Sequence, residues 1–259
     1  MSFTTLRSRM LAGDKLVGTF MKTPSHEVLE VLAMSGLDFV CLDAEHSAFD
    51  RSTLDACMAV ARALDFPVLV RVAGGTPEAI LQALDVGAVG VVVPHVDSVE
   101  KAEAVAKSAR FGLGGRGYAG STRWAGFATR TMPELLAKSR AETIVIAQIE
   151  EPAGVDAAQD IAAVDGVDGL FVGPADVSVS YGHEGQDNPD LVRAYEVCGA
   201  ATQATGKAYI SWVSSVAQAK ERAAYGLSVF FVASEHAWIL AGAKAVAAGI
   251  HEMDTSSSW

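Results

Sequence analysis

Eight short apolar runs, each followed by a longer amphipathic stretch, fill nearly the whole chain, and this alternation limits the fold more than any other feature. The runs are LVGTFMK (16–22), FVCLDAE (39–45), PVLVRV (67–72), GVVVPHV (90–96), TIVIAQIE (143–150), GLFVGPA (169–175), AYISWV (208–213) and SVFFVAS (228–234). They are rich in β-branched and aromatic residues, and most lack strict polar–apolar alternation. Strands buried on both faces of a parallel sheet read this way. Between them, apolar residues recur at a spacing near 3.6 over 26–36, 52–65, 77–87, 98–112, 155–164, 190–206, 216–226 and 236–253. Several of these stretches close on glycine, as helix C-termini do, and Thr76-Pro77 opens one of them as an N-cap and first helical residue. Eight strand–helix pairs in this order predict an α/β fold of the (β/α)₈ barrel type. An open, doubly wound sheet that binds a nucleotide carries a glycine fingerprint after its first strand. Here the first strand runs into MKTPSHE, without glycine.

The 259 residues suit one such barrel, predicted over 1–253, with the polar tail DTSSSW (254–259) expected to fray. No apolar run approaches the roughly 18 residues of a membrane span, and the N-terminal stretch has no apolar signal core. A cytoplasmic protein with no membrane partner is expected. Twenty Lys+Arg against 31 Asp+Glu give a net charge of -11, which argues against nucleic acid as a partner, because phosphate contacts need a basic face. Cys41, Cys57 and Cys198 show no C-x-x-C spacing, and Cys41 sits inside an apolar run, so core packing is expected of it. One segment, FGLGGRGYAGSTRWAGFATRTM (111–132), is too long for an ordinary connection. It reads either as a surface loop or as an active-site or subunit-contact loop.

Barrels of this kind place their chemistry at the C-terminal ends of the strands. Here those ends carry Lys22, Asp43-Ala44-Glu45-His46, Arg71, His95, Gln148-Ile149-Glu150-Glu151, Gly173-Pro174-Ala175-Asp176, Trp212, and Glu235-His236. Glu150 and Asp176 leave adjacent strands, and two carboxylates completed by water and substrate suit a divalent cation such as Mg²⁺ or Mn²⁺. Both also suit helix N-caps. Arg71 emerges from an apolar strand and needs an anionic partner, either a substrate or Asp43 or Glu45 next door. His46 has the right titration range for proton transfer. Asp85 lies in the helical stretch after the third strand, where its pattern is that of a solvent-facing residue.

The stretches LDAEHSAFD (42–50), VLVRVAG (68–74), AQIEEPAGV (147–155) and LFVGPADVSVSYG (170–182), taken together, resemble the HpcH/HpaI group of class II pyruvate aldolases, of the 4-hydroxy-2-oxoheptanedioate aldolase type. The resemblance covers about 15–250. It implies a (β/α)₈ barrel whose last helix is exchanged between subunits of a homohexamer, a trimer of dimers. It implies reversible addition of the enolate of pyruvate, or of a hydroxypyruvate-like 2-oxo acid, to an aldehyde, with Mg²⁺, Mn²⁺ or Co²⁺ as cofactor. On the matching positions, Glu150 and Asp176 would ligate the metal. Gln148 and the backbone of Gly173, Pro174 and Ala175 would hold the 2-oxo acid. Arg71 would stabilise the enolate oxygen, and His46, with Asp43 behind it and Asp85 supplied across a subunit contact, would move the proton. Ser121 in the long loop, with Trp212 and Val213 on the strand-seven rim, would contact the substrate on its aldehyde side. Where the family pattern has glycine between the two acids, this chain has Ala44, a tolerable change unless that position needs a positive φ.

Two rival enzymes remain open on the sequence. A Schiff-base aldolase would need a desolvated lysine at a strand end, and Lys22 is the lysine so placed. A lyase of acyl-coenzyme A esters, of the citrate-lyase β type, would need a basic rim, for which Arg110, Arg116, Arg123 and Arg130 are available. A third possibility is a metabolite-binding barrel without catalysis.

Overall fold

The computed structural model describes residues 2–253. The predicted tail (254–259) therefore lies outside the described residues. Eight parallel strands close into a barrel in chain order: β1 (Leu16–Met21), β2 (Phe39–Asp43), β3 (Val68–Arg71), β4 (Gly90–Val93), β5 (Ile144–Ile149), β6 (Gly169–Val172), β7 (Ala208–Val213) and β8 (Val229–Ser234). All eight predicted strands are present, each slightly shorter than or equal to its apolar run. The first half carries the helices α1 (Leu6–Leu11), α2 (His26–Ala33), α3 (Arg51–Ala63), α4 (Pro77–Val86) and α5 (Val99–Ser108). In the second half follow α6 (Met132–Glu142), α7 (Pro152–Asp156), α8 (Ala158–Ala163), α9 (Pro174–Ser180), α10 (Pro189–Thr205), α11 (Val216–Arg222) and α12 (Glu235–His251).

Three helices were not foreseen: α1, α6 and α9. Pro133 and Pro174 in the first turns of α6 and α9 are permissive at helix starts, where their missing N–H costs nothing. The stretch predicted as one helix over 155–164 is two, interrupted at Ala157 (φ -90°, ψ 3°). Side-chain caps fix several starts: Ser25, Asp50, Thr76, Ser98, Asn188 and Ser215 each accept a backbone N–H from the first turn of the following helix.

Two cores hold the barrel. The larger lies between sheet and helices and includes Leu42, Val70, Ile80, Ile161 and Val213. The smaller fills the barrel interior, and there α1 plugs the N-terminal end with Leu6 and Met10. Phe231 is its hub, with ring centroids 5.0 Å from Phe20, Phe39 and Phe171. Gly18 makes room for this cluster, because a Cβ there would overlap the Phe39 ring. Cys41 is fully buried in the same interior, as expected of it. The last helix behaves differently from the others. Glu235 at its start is buried, but every residue from His236 to His251 is exposed, including Trp238, Ile239, Leu240 and Ile250.

Candidate active site

A cavity of about 530 Å³ opens at the C-terminal mouth of the barrel, within the size range of small-molecule sites. Phe20 and Phe171 form part of its floor; His46, Arg71 and Gln148 line one side, and Gly173 to Asp176 another. The strand ends named in the sequence therefore do converge. The distribution follows from strand geometry: side chains alternate between interior and exterior, so Arg71 and Gln148 point up into the mouth while Val70 and Ile149 pack against helices.

Asp43 and Arg71 are the most tightly bonded pair. They are registered side by side on β2 and β3, and the guanidinium is bidentate: Nε donates to Oδ1 at 3.0 Å and Nη2 to Oδ2 at 2.7 Å. Arg71 Nε also lies 3.3 Å from Glu45 Oε2, and the guanidinium stacks 4.3 Å over the Phe20 ring. Burial opposes charge on both groups. For Asp43 the hydrogen bonds from Arg71, its charge and the His46 N–H outweigh burial, and the carboxyl is held below its usual range. Arg71 is likewise raised, because Asp43 outweighs the desolvation. Asp43 reaches His46 through the backbone: Oδ1 accepts the His46 N–H at 3.1 Å. The His46 ring instead faces Glu45, with Nε2 3.6 Å from Oε2, and more than half of that side chain is exposed. Ala44 has a negative φ, so the methyl that departs from the family pattern costs no backbone strain.

Glu150 is buried at the end of β5. Its Oε1 accepts the His95 backbone N–H at 2.7 Å, and its Oε2 accepts from Gln148 Nε2 at 2.5 Å. His95 adopts a left-handed backbone (φ 56°), which turns that N–H toward Glu150. Its ring Nδ1 lies 3.0 Å from both Glu150 Oε1 and Glu151 Oε1. Burial, with the charge of Asp176, pushes the Glu150 carboxyl up, against the hydrogen bond and charge of His95. Asp176, in the first turn of α9, is exposed and has no hydrogen-bond donor among the described residues. Gly173 sits between the two acids: a Cβ there would lie 3.4 Å from Asp176 Oδ2, Gln148 Nε2 and the Glu150 Cβ.

A divalent cation fits this place on the chemistry of the donors. The side chains of Glu150 and Asp176 flank one glycine, Gly173; Asp176 has no hydrogen-bond donor among the described residues, and Gln148 Oε1 is buried without a partner. Among the described residues no cluster of three or more His, Cys, Asp or Glu forms a closed metal cage. The donor set matches a hard cation that keeps water and substrate oxygens in its shell, and does not match a structural zinc.

Three expected site residues are not at the mouth of this chain. Val213 is fully buried in the core between sheet and helices; the neighbouring Trp212 faces the cavity, as strand alternation requires. Asp85, on α4, accepts from Arg116 Nη2 at 2.5 Å. Ser121 is exposed in the long loop, which folds along the outside of α3 and α4: Arg123 is bidentate to Asp55, and Trp124 N donates to Asp85 O. The basic rim for an acyl-coenzyme A ester does not assemble either. Arg110 binds the Ser139 and Thr143 carbonyls and Asp168, Arg116 is buried between Phe111 and Trp124, and Arg123 and Arg130 lie away from the mouth. Lys22 does reach the cavity, but its Nζ is 3.3 Å from Asp43 Oδ2, in a polar and partly exposed setting unlike the desolvated pocket of a Schiff-base lysine.

Sequence reasoning did not assign the rest of the wall. Gln186, Ser214, Ala233 and Ala237 line the cavity. β8 carries one extra residue against β1 near its end, and Ala233 there has φ 51°. The bulge presents the Ala233 carbonyl to Trp212 Nε1 at 3.1 Å, which fixes the indole at the rim. No local sequence signal marks a bulge at an alanine.

Comparison with known proteins matches residues 16–234 to the HpcH/HpaI aldolase/citrate lyase family. The chain is 34% identical over 208 residues to a hydroxypyruvate/pyruvate aldolase of Roseovarius nubinhibens, covering 79% of this chain and 80% of that protein. It is 35% identical over 204 residues to a 5-keto-4-deoxy-D-glucarate aldolase of an Enterobacter species, covering 78% of each. Among solved structures, an HpcH/HpaI aldolase/citrate lyase family protein of Burkholderia cenocepacia superimposes with a TM-score of 0.91 at 30% identity, over 96% of this chain and 100% of that one.

Proposed function

Since the chain belongs to the HpcH/HpaI aldolase/citrate lyase family, we propose that it is a class II aldolase, a carbon–carbon lyase that joins the enolate of pyruvate or a related 2-oxo acid to an aldehyde, and reverses that reaction. The observation that carries this reading is the convergence of Asp176, Gln148 and Arg71 on one cavity, with Glu150 buried behind it, bonded to Gln148 and packed against the same glycine, Gly173, that Asp176 flanks.

Glu150 and Asp176 would hold a divalent cation, Mg²⁺, Mn²⁺ or Co²⁺. Bound there, the cation supplies Lewis acidity as the C3 proton of the 2-oxo acid leaves. Gln148 and the backbone of Gly173, Pro174 and Ala175 orient the 2-oxo acid carboxylate, aided by the N–H groups of the first turn of α9, which lack intrahelical partners. Arg71 is a fixed positive charge for the developing enolate oxygen. Its bidentate bond to Asp43 and its stacking on Phe20 hold it in place before substrate arrives, so no reorganisation is needed. His46 moves the proton at its ring nitrogen, with Glu45 beside Nε2 to orient the ring. Phe20 and Phe171 exclude water from the floor.

Asp85 and Ser121 would act only from a neighbouring copy. The exposed apolar residues of α12 support such an assembly: we infer a homohexamer, a trimer of dimers, in which this helix packs on the adjacent subunit. The domain would extend over 1–253. Among the described residues no helix is long and apolar enough to cross a membrane, and a cytoplasmic location fits an enzyme of small 2-oxo acids.

The test is exchange of pyruvate C3 protons in deuterated water, followed by NMR, which reads enolate formation without any aldehyde. Exchange should stop with EDTA and return with Mg²⁺, Mn²⁺ or Co²⁺. Exchange that persists after thorough metal removal would overturn the metal assignment to Glu150 and Asp176.

A further inference from the structure

Five non-glycine residues among those described have a left-handed backbone: Asp65, His95, Phe127, Ala128 and Ala233. One of them, His95, follows β4 at the mouth and spends its N–H on a buried acid, Glu150 Oε1, at 2.7 Å. A backbone of this kind persists only where the surroundings over-determine it, and such places collect where a functional group must be held. Here the surroundings do so on both sides of His95. The next residue, Val96, is buried, and its N–H donates to the Gln148 carbonyl of β5 at 3.2 Å. The Val96 carbonyl in turn packs on Gly154, where a Cβ would come within 3.0 Å of it. From α5, Lys101 Nζ donates to the His95 carbonyl and to Asp97 Oδ2, each at 3.0 Å.

The main chain and the ring of His95 do different work. The ring is more than half exposed; its Nδ1 bonds Glu151 Oε1 at 3.0 Å, and its Nε2 stays 3.9 Å from Glu45 Oε1. The main-chain N–H is the shorter bond and goes to the buried carboxylate. Gln148 completes the grip, since its Nε2 donates to the other oxygen of Glu150 at 2.5 Å while its carbonyl receives the turn. Both oxygens of Glu150 are therefore held, and each keeps a lone pair for a further partner. Asp176 has no such donor among the described residues. One of the two acids is fixed before any ligand arrives, and the other is left to adjust.

We propose that His95 is a positioning residue for the divalent cation, acting through its main chain: the left-handed turn aims one N–H at Glu150 and so presets the carboxylate for the ion. Groups that orient a metal ligand change metal affinity by about tenfold to a hundredfold. This rests on the assignment of Glu150 and Asp176 above, and it gives the backbone at His95 a role that the exposed imidazole does not share.

The experiment measures Mn²⁺ binding directly, by loss of the free-ion EPR signal, for the wild type and for His95→Asn, His95→Gly, His95→Ala and His95→Val, with a thermal melt of each. Asparagine and glycine remove the ring but accept the left-handed backbone; alanine resists it, and β-branched valine resists it most. Affinity should stay within about threefold of wild type in His95→Asn and His95→Gly, weaken in His95→Ala, and fall about tenfold to a hundredfold in His95→Val. If His95→Val does not fold, His95→Ala against His95→Gly carries the test. A loss as large in His95→Gly as in His95→Val would make the ring the holding group and overturn the proposal. So would melting temperatures that fall while affinity stays at the wild-type value, because the turn would then serve stability alone. Glu150→Gln and pyruvate C3 exchange separate this inference from the reading beneath it. Mn²⁺ bound equally well by Glu150→Gln would move the ion away from Glu150 and overturn both. A wild type that binds Mn²⁺ with the expected order of variants, yet shows no C3 exchange, would overturn the aldolase reading and uphold the positioning role.

Discussion

The two ends of the barrel both bury charge, but they treat it in opposite ways. At the N-terminal end, Asp168 is saturated: Arg7 donates Nε at 3.0 Å and Nη2 at 2.7 Å to Oδ1, while Arg110 Nη2 at 3.2 Å and the Val145 N–H at 2.9 Å reach Oδ2. This network ties α1, the end of α5 and the start of β6 together beneath the plug of Leu6 and Met10. At the mouth, charges are left with spare capacity. Glu45 Oε2 and Glu235 Oε2 are buried without a hydrogen bond, Gln148 Oε1 has no partner, and Asp176 has no donor among the described residues. An unsatisfied buried polar atom costs about 1–3 kcal/mol. Unpartnered buried atoms occur elsewhere too, Ser139 Oγ and Thr143 Oγ1 near the other end among them; what sets the mouth apart is that its open atoms are acceptor oxygens of acids and an amide beside a cavity, whereas the buried acid at the other end is saturated.

The contrast predicts that substitutions at the mouth damage chemistry and those at the other end damage stability. The largest effect is expected for Asp176→Asn. It keeps the size of the side chain and removes its charge, so metal-dependent pyruvate C3 exchange should fall about a thousandfold, near 4 kcal/mol of transition-state stabilisation, with the melting temperature little changed. Exchange within tenfold of wild type would remove Asp176 from the metal site.

Asp168→Asn is the counterpart. Two arginines lose their shared carboxylate, and breaking a pair at a buried acid costs about 3 kcal/mol. Thermal unfolding should shift down by roughly 6–12 °C for a chain of this size, while exchange per folded molecule stays at the wild-type value. A variant with normal stability and altered exchange would erase the distinction between the two ends.

Asp43 sharpens the comparison, because it is a mouth residue whose bonds also stabilise the fold. Its folded carboxyl lies below the usual range, since the Arg71 bonds outweigh burial. A group depressed on folding contributes its full stability above the unfolded value of about 3.9, and loses it as pH falls through the lower folded value. Asp43→Asn should therefore be less stable than wild type at pH 7, and the gap should close only below about pH 4. A gap constant down to pH 2 would show that the Asp43–Arg71 pair adds no pH-dependent stability.

The smallest effect belongs to Ala233. A non-glycine residue in the left-handed region costs about 1–2 kcal/mol, and glycine returns part of that gain through its greater freedom when unfolded. Ala233→Gly should raise stability by less than about 1 kcal/mol, read by denaturant titration. A loss would indicate that the bulge at the end of β8 is unstrained.

Much of the site was legible because barrel chemistry collects at strand ends, and strand ends are visible in the sequence. His46, Arg71, Gln148, Gly173, Asp176 and Trp212 all line the cavity they were expected to line. Val213 misled because a one-residue step along a strand reverses the face, and the end of β7 did not show which residue pointed in. Asp85 was expected across a subunit contact and Ser121 at the substrate's aldehyde side, and within one chain both lie away from the mouth, Asp85 on Arg116 and Ser121 exposed in the long loop. The arginines of the long loop looked like an anion-binding rim because sequence gives their number and spacing but not their partners. Three of the four arginines proposed for that rim already have acids of this chain: Arg110 pairs with Asp168, Arg116 with Asp85 and Arg123 with Asp55.

By itself, the sequence determined the eightfold alternation, the strands that carry function and the type of chemistry they support, because periodicity and residue type are local properties that burial then enforces. Tertiary structure alone decided which charges are neutralised and which remain open. It decided that Asp43 engages Arg71 and leaves the His46 ring to Glu45, that His95 turns its backbone to Glu150, and that Lys22 faces the cavity without a hydrogen bond. Those outcomes depend on distances between residues far apart in the chain, and the energy of a buried charge is set by its few nearest partners.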